Sequence, residues 1–261
     1  MNLLQSLFSR KDKKLLSIFF TSGFPNLNDT ATIVNELSEA GVDFIEVGLP
    51  YSDPLADGPT IQHSSSVALK NGMNLDVVFK QLLSIKDKNE TPLVLMGYVN
   101  QIIKYGEEAF CEKVKECGID TIIIPDLPMV EYESHYQLLF EKYGISNVFL
   151  ITPNTSDERI RKIDRITNTF IYVVSSTSIT GAKGELSQQQ KAYFERIKSM
   201  NLKSKLIVGF GISDHQTFST ACNYANGAII GSAFIKHLDK NGVSKSKEFI
   251  KSVVDLDKKL I

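Results

Sequence analysis

Residues Phe44-Ile-Glu-Val-Gly-Leu-Pro-Tyr-Ser-Asp-Pro-Leu-Ala-Asp-Gly-Pro59 run from an apolar strand into a turn-rich loop, with one carboxylate on the strand and two more in the loop. An ionised carboxylate in an apolar interior is costly unless it is paired or its pKa moves. Glu46 is therefore either half of a structural ion pair or a general acid/base. Pro50, Pro54 and Pro59 remove backbone donors and fix φ, so the following stretch reads as a loop and not a helix, projecting Ser52, Asp53 and Asp57 over the strand end. Taken singly, a strand Glu is more often an ion-pair partner and an Asp before Gly a turn residue. Here Glu46 and Asp57 converge on one space.

Outward from this strand the pattern repeats. Leu16–Thr21, Asp43–Gly48, Pro92–Gly97, Asp120–Pro125, Ser146–Thr152, Thr169–Ser175, Lys205–Gly209 and Ala225–Ile230 are short runs rich in Ile, Val, Phe and Leu, apolar on both faces, as buried parallel strands are. Amphipathic stretches with helix start and stop signals lie between them: Asp29 to Gly41, Gly106 to Gly118, Asp157 to Arg165 and Ser213 to Tyr224. Eight strands alternating with helices, without a linker or a shift in composition, fit an α/β fold, a single (β/α)₈ TIM barrel spanning residues 1–261, better than a doubly wound sheet. Asn2 to Phe8 reads as a short extra N-terminal helix that plugs the lower end of the barrel. Val243 to Leu260 reads as a Lys-rich closing helix whose charges form a solvated face.

With 29 basic against 30 acidic residues, the chain offers no field to attract nucleic acid or anionic lipid. Arg10, Lys11, Lys13 and Lys14 precede an apolar run, Leu15 to Phe20, too short for a signal sequence, and nothing reaches the length of a membrane span. Cys111, Cys117 and Cys222 are odd in number and lack Cys-x-x-Cys spacing, which reads as buried reduced thiols in a cytoplasmic protein. His63, His135, His215 and His237 are scattered over helices and loops, so no metal is expected. A Schiff-base aldolase wants a lysine near a strand's carboxyl end, and Lys205 begins its strand at the other end.

Thr180-Gly181, Gly209-Phe-Gly211 and Gly231-Ser232 follow the sixth, seventh and eighth strands. Glycines there allow backbone to approach an anion, and barrels of this kind commonly bind phosphate at these strand ends. Tyr172 alternates with Phe170 and Val174 on the sixth strand, and by itself reads as a core aromatic.

The segment Ile45 to Pro59 resembles the signature of the tryptophan synthase alpha subunit family. The likeness extends through Phe19-Phe-Thr-Ser-Gly23, Met96-Gly-Tyr-Val-Asn100, Pro125-Asp-Leu-Pro128, Tyr172 and Gly231-Ser-Ala233. The resemblance implies cleavage of indole-3-glycerol phosphate to indole and glyceraldehyde 3-phosphate, with Glu46 and Asp57 as the catalytic carboxylates. It further implies Phe19 and Tyr172 in the indole pocket, and Thr180, Gly181, Gly211, Gly231 and Ser232 around the phosphate. It implies no cofactor in this chain, and a pyridoxal-phosphate beta subunit as partner in an α₂β₂ heterotetramer, met through Asp53, Pro54, Asn100 and Pro128.

One departure stands out. Family members often carry Ser-Arg-x-Gly ahead of Val-Thr-Gly, where this chain has Ser175-Ser-Thr-Ser-Ile-Thr-Gly181, which bears on closure of the loop after the sixth strand. A catalytically silent phosphate-binding regulatory subunit is the alternative. It would keep the glycines but has no need of Glu46 and Asp57.

Overall fold

A computed structural model of the chain describes residues 3–175, 186–209 and 211–254. Eight strands, β1 (Leu15–Thr21), β2 (Phe44–Gly48), β3 (Leu93–Met96), β4 (Thr121–Ile123), β5 (Ser146–Ile151), β6 (Phe170–Val174), β7 (Lys205–Gly209) and β8 (Gly227–Ile230), pair in parallel in chain order. The barrel closes where Leu15 to Ile18 of β1 meet Gly227 to Ile230 of β8. Every residue of β1 and β2 is buried, because one face fills the barrel and the other packs under helices. That double burial is why the strands are legible as unbroken apolar runs.

The helical readings hold with small shifts at the ends. Thr30–Glu39 is followed by Gly41 at φ +81°, a left-handed stop that a side chain would strain. Asp157–Ile166 starts at Ser156, whose hydroxyl accepts from Arg159 N–H. Pro59, read as a helix-excluding residue, is instead the first residue of the helix Pro59–Lys70, where a missing N–H costs nothing. The loop after β2 is accordingly shorter than the sequence suggests.

The N-terminal helix spans Leu3–Arg10 and does plug the barrel. The Phe8 ring meets Phe44 edge-on at 6.3 Å and Phe170 at 6.1 Å, and those two rings lie 5.5 Å apart. At the other terminus the expected long helix divides into a 3₁₀ turn, Val243–Lys245, and a helix, Ser246–Val254, with residues 255–261 outside the described part. Ser246, Ile250 and Val253 face inward, while Lys247 reaches Glu39 at 2.5 Å. Cys111 and Cys117 are buried as expected, but Cys222, at the end of the helix His215–Cys222, is only half-buried.

Candidate active site

Glu46 is the middle residue of β2 and is 2% exposed. Its Oε2 has no hydrogen-bond partner among the described residues. Burial, and then the nearby charge of Asp57, push its pKa up to about 8. Of the two readings left open for this residue, an ion pair needs a cation beside it, and none contributes to this shift.

Asp57 sits eleven residues on, just before the helix Pro59–Lys70, in a tight turn closed by its own N–H to the Pro54 carbonyl at 3.0 Å. The sequence puts it in a turn-rich loop projecting over the strand end. It is half-buried there, and burial lifts its pKa to about 6 against the opposing pull of a hydrogen bond from Tyr98. The Tyr98 phenol donates to Asp57 Oδ2 at 2.8 Å and accepts from the Ala56 N–H at 3.2 Å. Sequence reasoning missed Tyr98, although it lies just past β3, the strand that pairs with β2. A tyrosine two residues past a strand neighbouring the one that carries Glu46 is the signal that could have found it.

Tyr172 on β6 is buried, and both Glu46 and Asp57 act on its hydroxyl, so the three groups share one space. The ring of Phe19 on β1 lies between Gly48 and Gly231: a Cβ at Gly48 would come within 2.5 Å of Phe19 Cζ, and one at Gly231 would rest on the ring at 3.5 Å. The pocket wall expected at Phe19 is therefore packed against the ends of β2 and β8.

Of the expected phosphate residues, Gly211 follows β7 at φ +76° and is exposed. Gly231 precedes the ten-residue helix Ser232–Asn241, which starts at the carboxyl end of β8 and opens with the exposed Ser232. A helix N-terminus there presents unpaired N–H groups, to which an anion binds favourably. Thr180, Gly181 and the Ser176–Ser178 departure lie outside the described residues. Gly209 has a different role from that expected of its glycine pair, since the Tyr172 ring lies directly against it.

The expected partner residues follow β2, β3 and β4 at the same end of the barrel, Asp53 and Pro54 in a loop, Asn100 in the first turn of the helix Val99–Tyr105 and Pro128 just before the short helix Met129–Glu131. Asp53, Asn100 and Pro128 are exposed, while Pro54 is buried. Leu55, in the same loop, is 92% exposed. Two adjoining clefts of about 590 and 630 Å³ open beside them, the first lined by Asp53, Pro54 and Leu55 and the second by Asn100 and Ile103, with Tyr51 in both. Among the described residues no helix is long and apolar enough to cross a membrane, and no group of His, Cys, Asp and Glu is arranged to hold a metal.

A closed parallel barrel carrying one buried carboxylate on β2 and a second, of unlike acidity, in the loop that follows it defines a TIM-barrel enzyme of the acid–base type. Residues 5–259 match the family model described as tryptophan synthase alpha chain. The tryptophan synthase alpha chain of Flavobacterium johnsoniae is 58% identical over 241 residues, covering 92% of this chain and 95% of that one. Among solved structures, the tryptophan synthase alpha chain of Legionella pneumophila superposes with a TM-score of 0.87 at 29% identity, covering 100% of this chain and 98% of its own. A chain of the tryptophan synthase complex from Pyrococcus furiosus does so at 0.85 and 32% identity, with 94% and 99% covered. The chain belongs to the tryptophan synthase alpha chain family.

Proposed function

We propose that this chain is the carbon–carbon lyase that cleaves indole-3-glycerol phosphate to indole and glyceraldehyde 3-phosphate in tryptophan biosynthesis, with Glu46 and Asp57 sharing the proton transfers. The bond between indole C3 and the glycerol chain breaks in a retro-aldol step, which needs C3 protonated and the adjacent side-chain hydroxyl deprotonated. Glu46, neutral at pH 7, gives its proton to C3 and, once ionised, takes the proton of the hydroxyl, so it ends as it began. Asp57, ionised at pH 7, accepts the ring N–H and stabilises the positive charge that C3 protonation creates. Tyr172 and Phe19 flank the indole, and Gly211, Gly231 and Ser232, with Thr180 and Gly181, hold the phosphate.

The observation that carries this reading is the split between the two acids, about 8 for Glu46 and about 6 for Asp57, which leaves one protonated and the other charged at neutral pH. A silent regulatory subunit has no use for that split. The family needs no cofactor in this chain. Its partner is a pyridoxal-phosphate beta subunit, met in the cytoplasm through Asp53, Pro54, Asn100 and Pro128 in an α₂β₂ assembly. The exposed Leu55 beside Asp53 supports a contact there.

The test is single-turnover indole release by Glu46→Gln, with and without a beta subunit. The variant is expected to fold, to bind substrate and to lose about 10²-fold or more in rate. Turnover near that of the wild type would refute the assignment.

A further inference from the structure

Two aromatic rings from different loops stand in line between the rim of the molecule and Asp57. Tyr51 follows β2 and Tyr98 follows β3; the rings stack with centroids 5.1 Å apart and planes inclined by 26°. At the inner end the Tyr98 hydroxyl receives a hydrogen bond from the Ala56 N–H and gives its own proton to Asp57 Oδ2 at 2.8 Å. At the outer end Asn100 Nδ2 donates to the Tyr51 hydroxyl at 3.3 Å. Exposure falls along the line: Asn100 is exposed, Tyr51 half-buried and Tyr98 4% exposed. Gln101 holds the frame, its Oε1 accepting from Tyr98 N–H at 2.9 Å and its Nε2 donating to the Pro50 carbonyl at 3.0 Å.

We propose that Tyr51 is a positioning residue for the cleavage reaction: its ring is the wall that keeps the Tyr98 phenol on Asp57, and its bond to Asn100 connects the outer surface to that carboxylate. The inference rests on Asp57 acting as proposed above. A phenol turns freely about its ring axis bonds unless something flat lies against it, and an offset stack supplies that restraint. A hydrogen bond to an ionised carboxylate is strong and directional, so losing its alignment weakens the charged form specifically. Burial and the Tyr98 hydrogen bond set the acidity of Asp57, whose charge in turn acts on Glu46 and Tyr172, and Asp126, which accepts from Val99 N–H at 3.0 Å, adds its charge on Tyr98. Among the residues of this line only Tyr98 touches Asp57, so Tyr51 and Asn100 act on it through that phenol. A docked protein that engages Asn100 therefore reaches the reacting carboxylate through side chains alone.

The experiment is indole release from indole-3-glycerol phosphate by Tyr51→Ala, Tyr51→Leu, Tyr51→Phe and Asn100→Ala, from about pH 5 to about pH 9, with Asp57→Asn as reference and a melting curve for each variant. Tyr51→Ala is expected to lower kcat about tenfold with little change in KM, and to move the acid limb of the pH profile upward, since Asp57 holds its proton more tightly without an aligned phenol. Tyr51→Leu, which keeps bulk but not flatness, should behave alike. Tyr51→Phe keeps the stack and should recover most of the loss, leaving a small deficit equal to that of Asn100→Ala. Acid limbs that coincide with the wild type in Tyr51→Ala and Tyr51→Leu, while Asp57→Asn has lost release, would overturn the positioning role and leave the catalytic assignment standing. Wild-type release by Asp57→Asn would overturn both.

Discussion

Tyr172 on β6 occupies the space that a side chain at Gly209 on β7 would need: the first carbon of any such side chain falls on the phenol ring and its hydroxyl. Gly209 is therefore a condition for the tyrosine's position above the strands. In a double-mutant cycle on indole release, Gly209→Ala should be severely damaging in the wild-type background, because it displaces Tyr172 from the space it shares with Glu46 and Asp57. In a Tyr172→Ala background the same glycine change should add almost nothing. Additive losses would show that Gly209 acts on something other than the tyrosine.

The pH profile of kcat/KM should be a bell. Asp57 must be charged, so activity falls as pH drops through about 6. Glu46 must carry its proton, so activity falls again as pH rises through about 8. The basic limb depends on the acid one, since the charge on Asp57 raises the pKa of Glu46. In Asp57→Glu, if it turns over, the acid limb should move while the basic limb stays nearer its place. A profile flat from about pH 5 to about pH 9 would contradict the division of labour.

Stability should carry the signature of the same buried acid. In the unfolded chain Glu46 ionises near 4.5 and in the fold near 8, so the native state holds this proton more tightly across that window. Native stability from this group is intact below 4.5 and is lost progressively as pH rises towards 8, by at most about 1.4 kcal/mol per pH unit. Glu46→Gln removes the titration. Its melting temperature relative to the wild type should climb from about pH 5 to about pH 8 and then level off. A constant offset across that range would mean that Glu46 ionises at its ordinary pKa.

Gly231→Ala is the cleaner probe of phosphate binding. The added carbon meets Phe19 at an ordinary 3.5 Å, so the fold should tolerate it, whereas Gly211, at φ +76°, is strained by any side chain. The variant should raise KM for indole-3-glycerol phosphate severalfold while leaving the affinity for indole nearly unchanged. Equal losses for both ligands would point to displacement of Phe19 instead of obstruction of the anion.

The barrel was legible because its strands are buried on both faces, which writes them into the sequence as runs such as Phe44-Ile-Glu-Val-Gly48, with Glu46 conspicuous among them. Asp57 was legible as a partner for Glu46, but its acidity was not. That depends on Tyr98, 41 positions away, folding over it, a contact made across neighbouring strands that no local pattern encodes. Gly209 was misread for the same reason. A glycine after a strand looks alike whether it makes room for an anion or for a tyrosine on the next strand, and only the register of β6 against β7 tells them apart. Pro59 was misjudged because the first turn of a helix accepts proline as readily as a loop does.

The aromatic floor made by Phe8, Phe44 and Phe170 has a bearing on the chemistry above it. Phe44 and Glu46 lie two residues apart on one strand, as do Phe170 and Tyr172 on another, so each pair points the same way from its strand, one storey apart. Burial is what makes Glu46 a weak acid, and the layer beneath it is closed in part by a ring delivered from the N-terminal helix. Reshaping Phe8 thus offers a way to tune how readily the acid parts with its proton from the side of the barrel that the substrate never visits.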